Sequence, residues 1–196
     1  MSESETLRVI GLVGQARSGK DSAARLLEAN YGAMRIALAD GVRGALRDLD
    51  GMTWEVSKTN AEGFRYPMLK LGTEAREELS SVDAASNHWI SHALIKIRYM
   101  SKHHSVPHFR FVIPDIRFKQ EVVGLGDQIV AWGGEFLLWK MEREGAGLVG
   151  AAAQHKSETE LRQIDAGVVI RNNSRSRRRL SDGIARYVPP AWFDPE

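Results

Sequence analysis

The chain has 196 residues, 43% hydrophobic and 27% charged, with 18 Gly and 6 Pro, a composition that excludes collagen-like, mucin-like and wholly disordered chains and suffices for one self-supporting domain over 1–196. Without a single Cys there can be no disulfide, thiolate zinc site or cysteine nucleophile. A net charge of +2 does not by itself announce nucleic acid, no apolar run reaches the ~20 residues of a bilayer span, and the polar start MSESETLRV is unlike a secretory leader, so a cytoplasmic protein with no membrane partner is expected.

Residues 7–13 (LRVIGLV) form a short apolar run that ends at glycine, the pattern of a buried parallel strand. A glycine-rich loop follows, and then residues 20–30 place Ala23, Leu26 and Leu27 on one helical face, with Gly32 as a left-handed cap. A strand is predicted over 34–38, then a helix capped by Asp40 that carries Val42, Leu46 and Leu49 on one side. From 51 to 70 the pattern dissolves into a long loop. Helices are predicted over 73–79 and 86–103, the latter from the stripe Trp89, Ile90, Ala93, Leu94 and Ile97. Residues 109–113 read as a central strand, 118–132 as a helix, and 135–140 as another strand after the Gly133-Gly134 turn. Residues 145–153 look like a flexible connector; Ser157 and Glu160 match a capping box opening a short helix; 168–171 is the last strand. Leu180 and Ile184 give the final helix its apolar face. Strands alternating with helices predict an α/β fold with a mostly parallel sheet flanked by helices.

Gly14-Gln15-Ala16-Arg17-Ser18-Gly19-Lys20 satisfies G-x-x-x-x-G-K, in the strand-loop-helix context that gives the motif its meaning. Backbone N–H groups can turn inward around phosphate oxygens, the helix N-terminus adds partial positive charge, and Lys20 reaches the terminal phosphates. ATP is the expected ligand. Asp21 stands where Ser or Thr would place a hydroxyl on Mg²⁺, with Ser22 next; Asp21 either holds the ion through water or only stabilises the helix N-terminus. Asp115 closes the 109–113 strand at the edge where open α/β sheets bind ligands. It suits Mg²⁺ or its water, or else caps the next helix. Arg117 can pair with a phosphate or remain a surface residue.

GQARSGKD, LAD (38–40), LGTEAR (71–76), VIPDIRFKQE (112–121), GGEFLLWKMER (133–143), HKSE (155–158) and DAGVVIRNN (165–173), in that order, resemble the bacteriophage deoxynucleoside monophosphate kinases. The resemblance spans nearly the whole chain, and GKD coupled to GTE, PD-x-R and H-x-SE is far more specific than the glycine loop alone. It implies a P-loop NTPase fold of the nucleoside monophosphate kinase kind, with a lid near 141–160 and an acceptor-side helical region near 51–105. The implied reaction moves the γ-phosphoryl of ATP, with Mg²⁺, to a deoxynucleoside monophosphate for phage DNA synthesis in the cytoplasm of an infected host. Lys20, Arg117 and Arg143 are then the charge-stabilising residues, Arg143 as part of the lid or else a solvated side chain. Asp40, Gly72, Thr73, Glu74 and Arg76 fall on motifs of the acceptor side, and His155 is an acceptor or lid contact, or a surface histidine. The resemblance leaves room for a homodimer.

Where relatives carry Asn-Asp-Gly followed by acids, this chain has Asn172, Asn173 and Ser174, then Arg175, Arg177, Arg178 and Arg179. Basic residues in a first helical turn oppose the macrodipole. An anionic partner would offset that: the ATP phosphates or adenine, with Asn172 or Asn173 at the base edge, or polymer DNA; the arginines can also simply be solvated. Rival functions are therefore a kinase of a hydroxymethyl pyrimidine in DNA, a dephospho-coenzyme A kinase, and a nucleotide-binding regulator or packaging component without a small acceptor.

Overall fold

A computed structural model describes residues 6–50, 88–103, 109–174 and 176–190, with the backbone alone for 45–50 and 151. Among the described residues, five strands, β1 (Arg8–Val13), β2 (Met34–Arg35), β3 (Arg110–Ile113), β4 (Glu135–Glu142) and β5 (Val168–Arg171), form one sheet in the order β2-β3-β1-β4-β5. Every pairing is parallel. The helices are α1 (Lys20–Tyr31), α2 (Ala39–Asp50), α3 (His88–His103), α4 (Lys119–Ala131), α5 (Lys156–Leu161) and α6 (Arg177–Ala185), with a 3₁₀ turn at Gly150–Gln154. No helix among the described residues is long and apolar enough to cross a membrane.

All six residues of β1 are buried because the strand lies mid-sheet with helices on both faces. Ile10, Leu12, Trp139, Met141 and Ile170 point to one face and pack on Ala23, Leu27, Leu180 and Ile184 of α1 and α6. Val9, Val13, Phe111 and Ile113 point to the other and meet Ile90, Ala93 and Ile97 of α3 and Leu125 and Ile129 of α4. Burying the two sets fixes the alternation of each strand, since a one-residue slip would reverse its faces. β1 pairs with β3 on one side and β4 on the other, so the chain order reverses across β1 and opens a crevice at its carboxyl end.

Strand lengths and helix caps differ from the sequence reading. β2 is only two residues long, and Ile36 extends its pairing by one hydrogen bond to Val112 O (3.0 Å). Asp40 lies inside the first turn of α2, where it pairs with Arg43 at 3.1 Å, and does not precede the helix as its cap. Asp115 caps α2 instead, its carboxylate oxygens accepting from the N–H groups of Leu38 (2.9 Å) and Ala39 (2.8 Å). At α5 the Ser157/Glu160 capping box is replaced by His155, whose Nδ1 accepts from Ser157 N at 3.2 Å. Glu160 reaches across to the backbone N–H of Lys119 at the start of α4 (2.9 Å). The predicted helix at 73–79 and the 51–70 loop lie outside the described residues.

Candidate phosphate-binding site

The loop leaves β1 at Val13 and enters α1 at Lys20. A Cβ on Gly14 would overlap Met141 O of β4, so only glycine lets the loop start this close to the neighbouring strand. Arg17 has φ +66°, the one positive φ outside glycine among the described residues, and such strain collects at ligand-binding turns. Lys20 folds back along the loop, its Nζ donating to Gly14 O (2.5 Å) and Gln15 O (2.8 Å). Burial, and then the neighbouring Arg117 charge, lower its pKa to about 8 against the opposing pull of Asp21, Glu158 and Asp115. Arg117, Asp115 and Glu158, distant from the lysine in sequence, thus act on its charge in the folded chain.

Arg117 is exposed just past the β3 edge, while Asp115 is half-buried. Burial raises the pKa of the Asp115 carboxyl against the opposing pull of its two backbone donors and Arg117. Asp21 points outward and pairs with Arg35 at 2.8 Å. Arg143 follows β4 and borders two clefts. One, of about 540 Å³, includes Gln15, Lys140, Glu142, Arg162 and Arg171. The other, of about 460 Å³, is polar and includes Ser22, Arg25, Asn172, Ser174 and Arg177.

The segment after β4 lies on the loop. Gly147 N–H donates to Ala16 O (2.8 Å), and the Gln15 carboxamide, oriented to satisfy both neighbours, donates to Ala146 O (3.1 Å) and accepts from Arg162 Nε (3.3 Å). His155 sits at the end of this segment as the cap of α5, its Nδ1 2.8 Å from Ser157 Oγ. Glu158, one turn on, is 5% exposed; sequence reasoning placed it in a motif without giving it a role.

Asn172 and Asn173 diverge. Asn172 is buried and its Nδ2 donates to Ser18 O at 3.0 Å. Asn173 is bound twice to Glu144, accepting from its N–H (3.0 Å) and donating to its Oε1 (2.6 Å). Both amides are engaged within the protein, Asn172 on the phosphate loop and Asn173 on Glu144. Gly72, Thr73, Glu74, Arg76 and Arg175 lie outside the described residues, whereas Arg177, Arg178 and Arg179 are exposed in the first turn of α6.

Among the described residues no group of three or more His, Asp or Glu is arranged to hold a metal ion. The donor set nevertheless fits Mg²⁺ in a phosphate site, where one or two carboxylates suffice because phosphates and water complete the shell. Asp115 has lone pairs left beyond its two N–H contacts, and Asp21 is solvent-facing.

A lysine turned onto a glycine loop, at the carboxyl end of the central strand of an all-parallel sheet, defines an α/β P-loop fold. No family model and no curated protein matches the chain. Among solved structures, an APS kinase CysC mutant of Mycobacterium tuberculosis aligns over 92% of this chain and 96% of its own, at 13% identity and a TM-score of 0.43.

Proposed function

We propose that the chain is an ATP-dependent kinase that moves the γ-phosphoryl group to a deoxynucleoside 5′-monophosphate, giving the diphosphate. The observation that carries this reading is Lys20, desolvated against the loop with Arg117 beside it. The lysine loses hydration and is repelled by Arg117, a cost that a bound polyphosphate would offset. Phosphoryl transfer needs little else from the protein than charge and alignment. The acceptor assignment rests on the resemblance of LGTEAR and HKSE to the phage enzymes.

In this reading the N–H groups of 14–22 cradle the donor phosphates, and Arg25, Arg143 and Arg177 supply positive charge from the polar cleft beside them. Asp115 and Asp21 would hold Mg²⁺, directly or through water, and the ion would supply charge neutralisation on the phosphates. Residues 141–160 act as the lid, bringing Arg143, His155 and Glu158 over the reacting groups. Asp40, with Gly72, Thr73, Glu74 and Arg76, serves the acceptor.

The test is ADP release from ATP and Mg²⁺ with each deoxynucleoside and ribonucleoside monophosphate, dephospho-coenzyme A, and hydroxymethyluracil-containing DNA. Stimulation by deoxynucleoside monophosphates supports the reading. Transfer to DNA alone, with steep salt dependence, would replace it with a DNA kinase using the exposed arginines of α6.

A further inference from the structure

Asn172 is the first residue beyond β5, yet its backbone is not free: its N–H donates to Glu142 O at 2.7 Å, continuing the β4–β5 ladder by one step. The side chain therefore starts from a fixed point. It is 7% exposed and passes under the phosphate loop, where Nδ2 donates to Ser18 O at 3.0 Å. Gly19, the next residue of the loop, has φ +104°, and a Cβ there would overlap Nδ2 of Asn172. The amide thus occupies the space that the missing side chain of Gly19 leaves open. One group meets two adjacent peptides of the loop across 154 residues of sequence.

We infer that Asn172 is a positioning residue that sets the direction of the loop's Gly19 N–H, and so governs affinity for the phosphate chain of the ligand and not for its base. The physical reason is orientation. Holding Ser18 O on the outer side of the loop turns the peptide that follows it, and the N–H of Gly19, inward. Releasing that carbonyl leaves a glycine free to rotate, and donors that are not preorganised bind an anion less well. The inference rests on the kinase reading only in the choice of nucleotide as probe.

The experiment measures binding of ATP, inorganic tripolyphosphate and adenosine by calorimetry to the full chain and to Asn172→Ala and Asn172→Asp, with thermal melting alongside. Asn172→Ala is expected to weaken ATP and tripolyphosphate by about tenfold each, the equivalent of one net hydrogen bond, while leaving adenosine unchanged. Asn172→Asp, of nearly the same shape, should lose more, because a carboxylate replaces the donor facing Ser18 O and adds negative charge beneath the phosphates. It also serves if the alanine variant fails to fold. A merely structural role would lower the melting temperature without separating phosphate from nucleoside. Equal loss for adenosine would make Asn172 a base contact and overturn the inference, as would wild-type affinity in both variants. A wild-type chain that binds tripolyphosphate but shows no acceptor-stimulated turnover would sink the kinase reading alone; one that binds neither phosphate ligand would sink both.

Discussion

Replacing Lys20 by methionine should make the stability gap between variant and wild type depend on pH. In the folded protein the ammonium titrates near 8, against 10.5 for an ordinary lysine. Below pH 8 both folded and unfolded chains carry the charge, and the full penalty of burying it beside Arg117 acts on the fold. Between pH 8 and 10.5 the unfolded chain binds more protons than the folded one, so wild-type stability rises with pH. Linkage puts the gain between pH 7 and 9 at about 1 kcal/mol. Methionine keeps much of the side-chain volume and has no such titration. All other ionisations cancel, to first order, in the difference between the two proteins. Urea unfolding followed by tryptophan fluorescence at pH 7, 8 and 9 gives that difference directly. A gain of about 1 kcal/mol corresponds to roughly 2–4 °C in a domain of this size. The wild type should gain on the variant as pH rises; a gap that stays constant, or moves the other way, would refute the desolvated lysine and remove the main support for phosphate binding there.

Arg117→Ala should move this titration to higher pH, and Glu158→Gln should move it lower, because the first removes a neighbouring cation and the second an anion; the same unfolding series reads both. Asp115→Ala should destabilise the chain by about 2–3 kcal/mol by removing two charge-assisted caps from α2, with Asp115→Asn costing about half as much; urea midpoints at unchanged slope would check it. Arg143→Ala should slow turnover far more than it weakens ATP binding if the residue acts in the closed lid. Equal losses in kcat/KM and binding affinity would place it in the ground state.

Much of the architecture is written locally. The run over 7–13, followed by a glycine loop and an apolar-faced helix, specifies β1, the loop and α1 by short-range chemistry alone, and β3, β4 and β5 follow from equally compact apolar runs. The loop residues from Gly14 to Ser22 were accessible for the same reason, since a glycine turn, a lysine and a helix start are consecutive in the chain. Helix caps were less accessible. Asp40 and Ser157 have the right chemistry at the right offsets, but Asp115 and His155 do the capping, because a carboxylate from another strand and an imidazole two residues before Ser157 reach the N–H groups first. Glu158 and Asn172 fall in motifs of the sequence, but nothing local marks their contacts with Lys20 and with the loop at Ser18 and Gly19. Their relation to Lys20 and Gly19 exists only once β4 lies beside β1 and β5 beside β4, since parallel pairing brings the carboxyl ends of strands far apart in sequence to one edge. Consecutive glycines, a lysine and a helix start mark the candidate phosphate loop locally, whereas the order of the strands decides which distant side chains hold that loop in shape and surround its lysine.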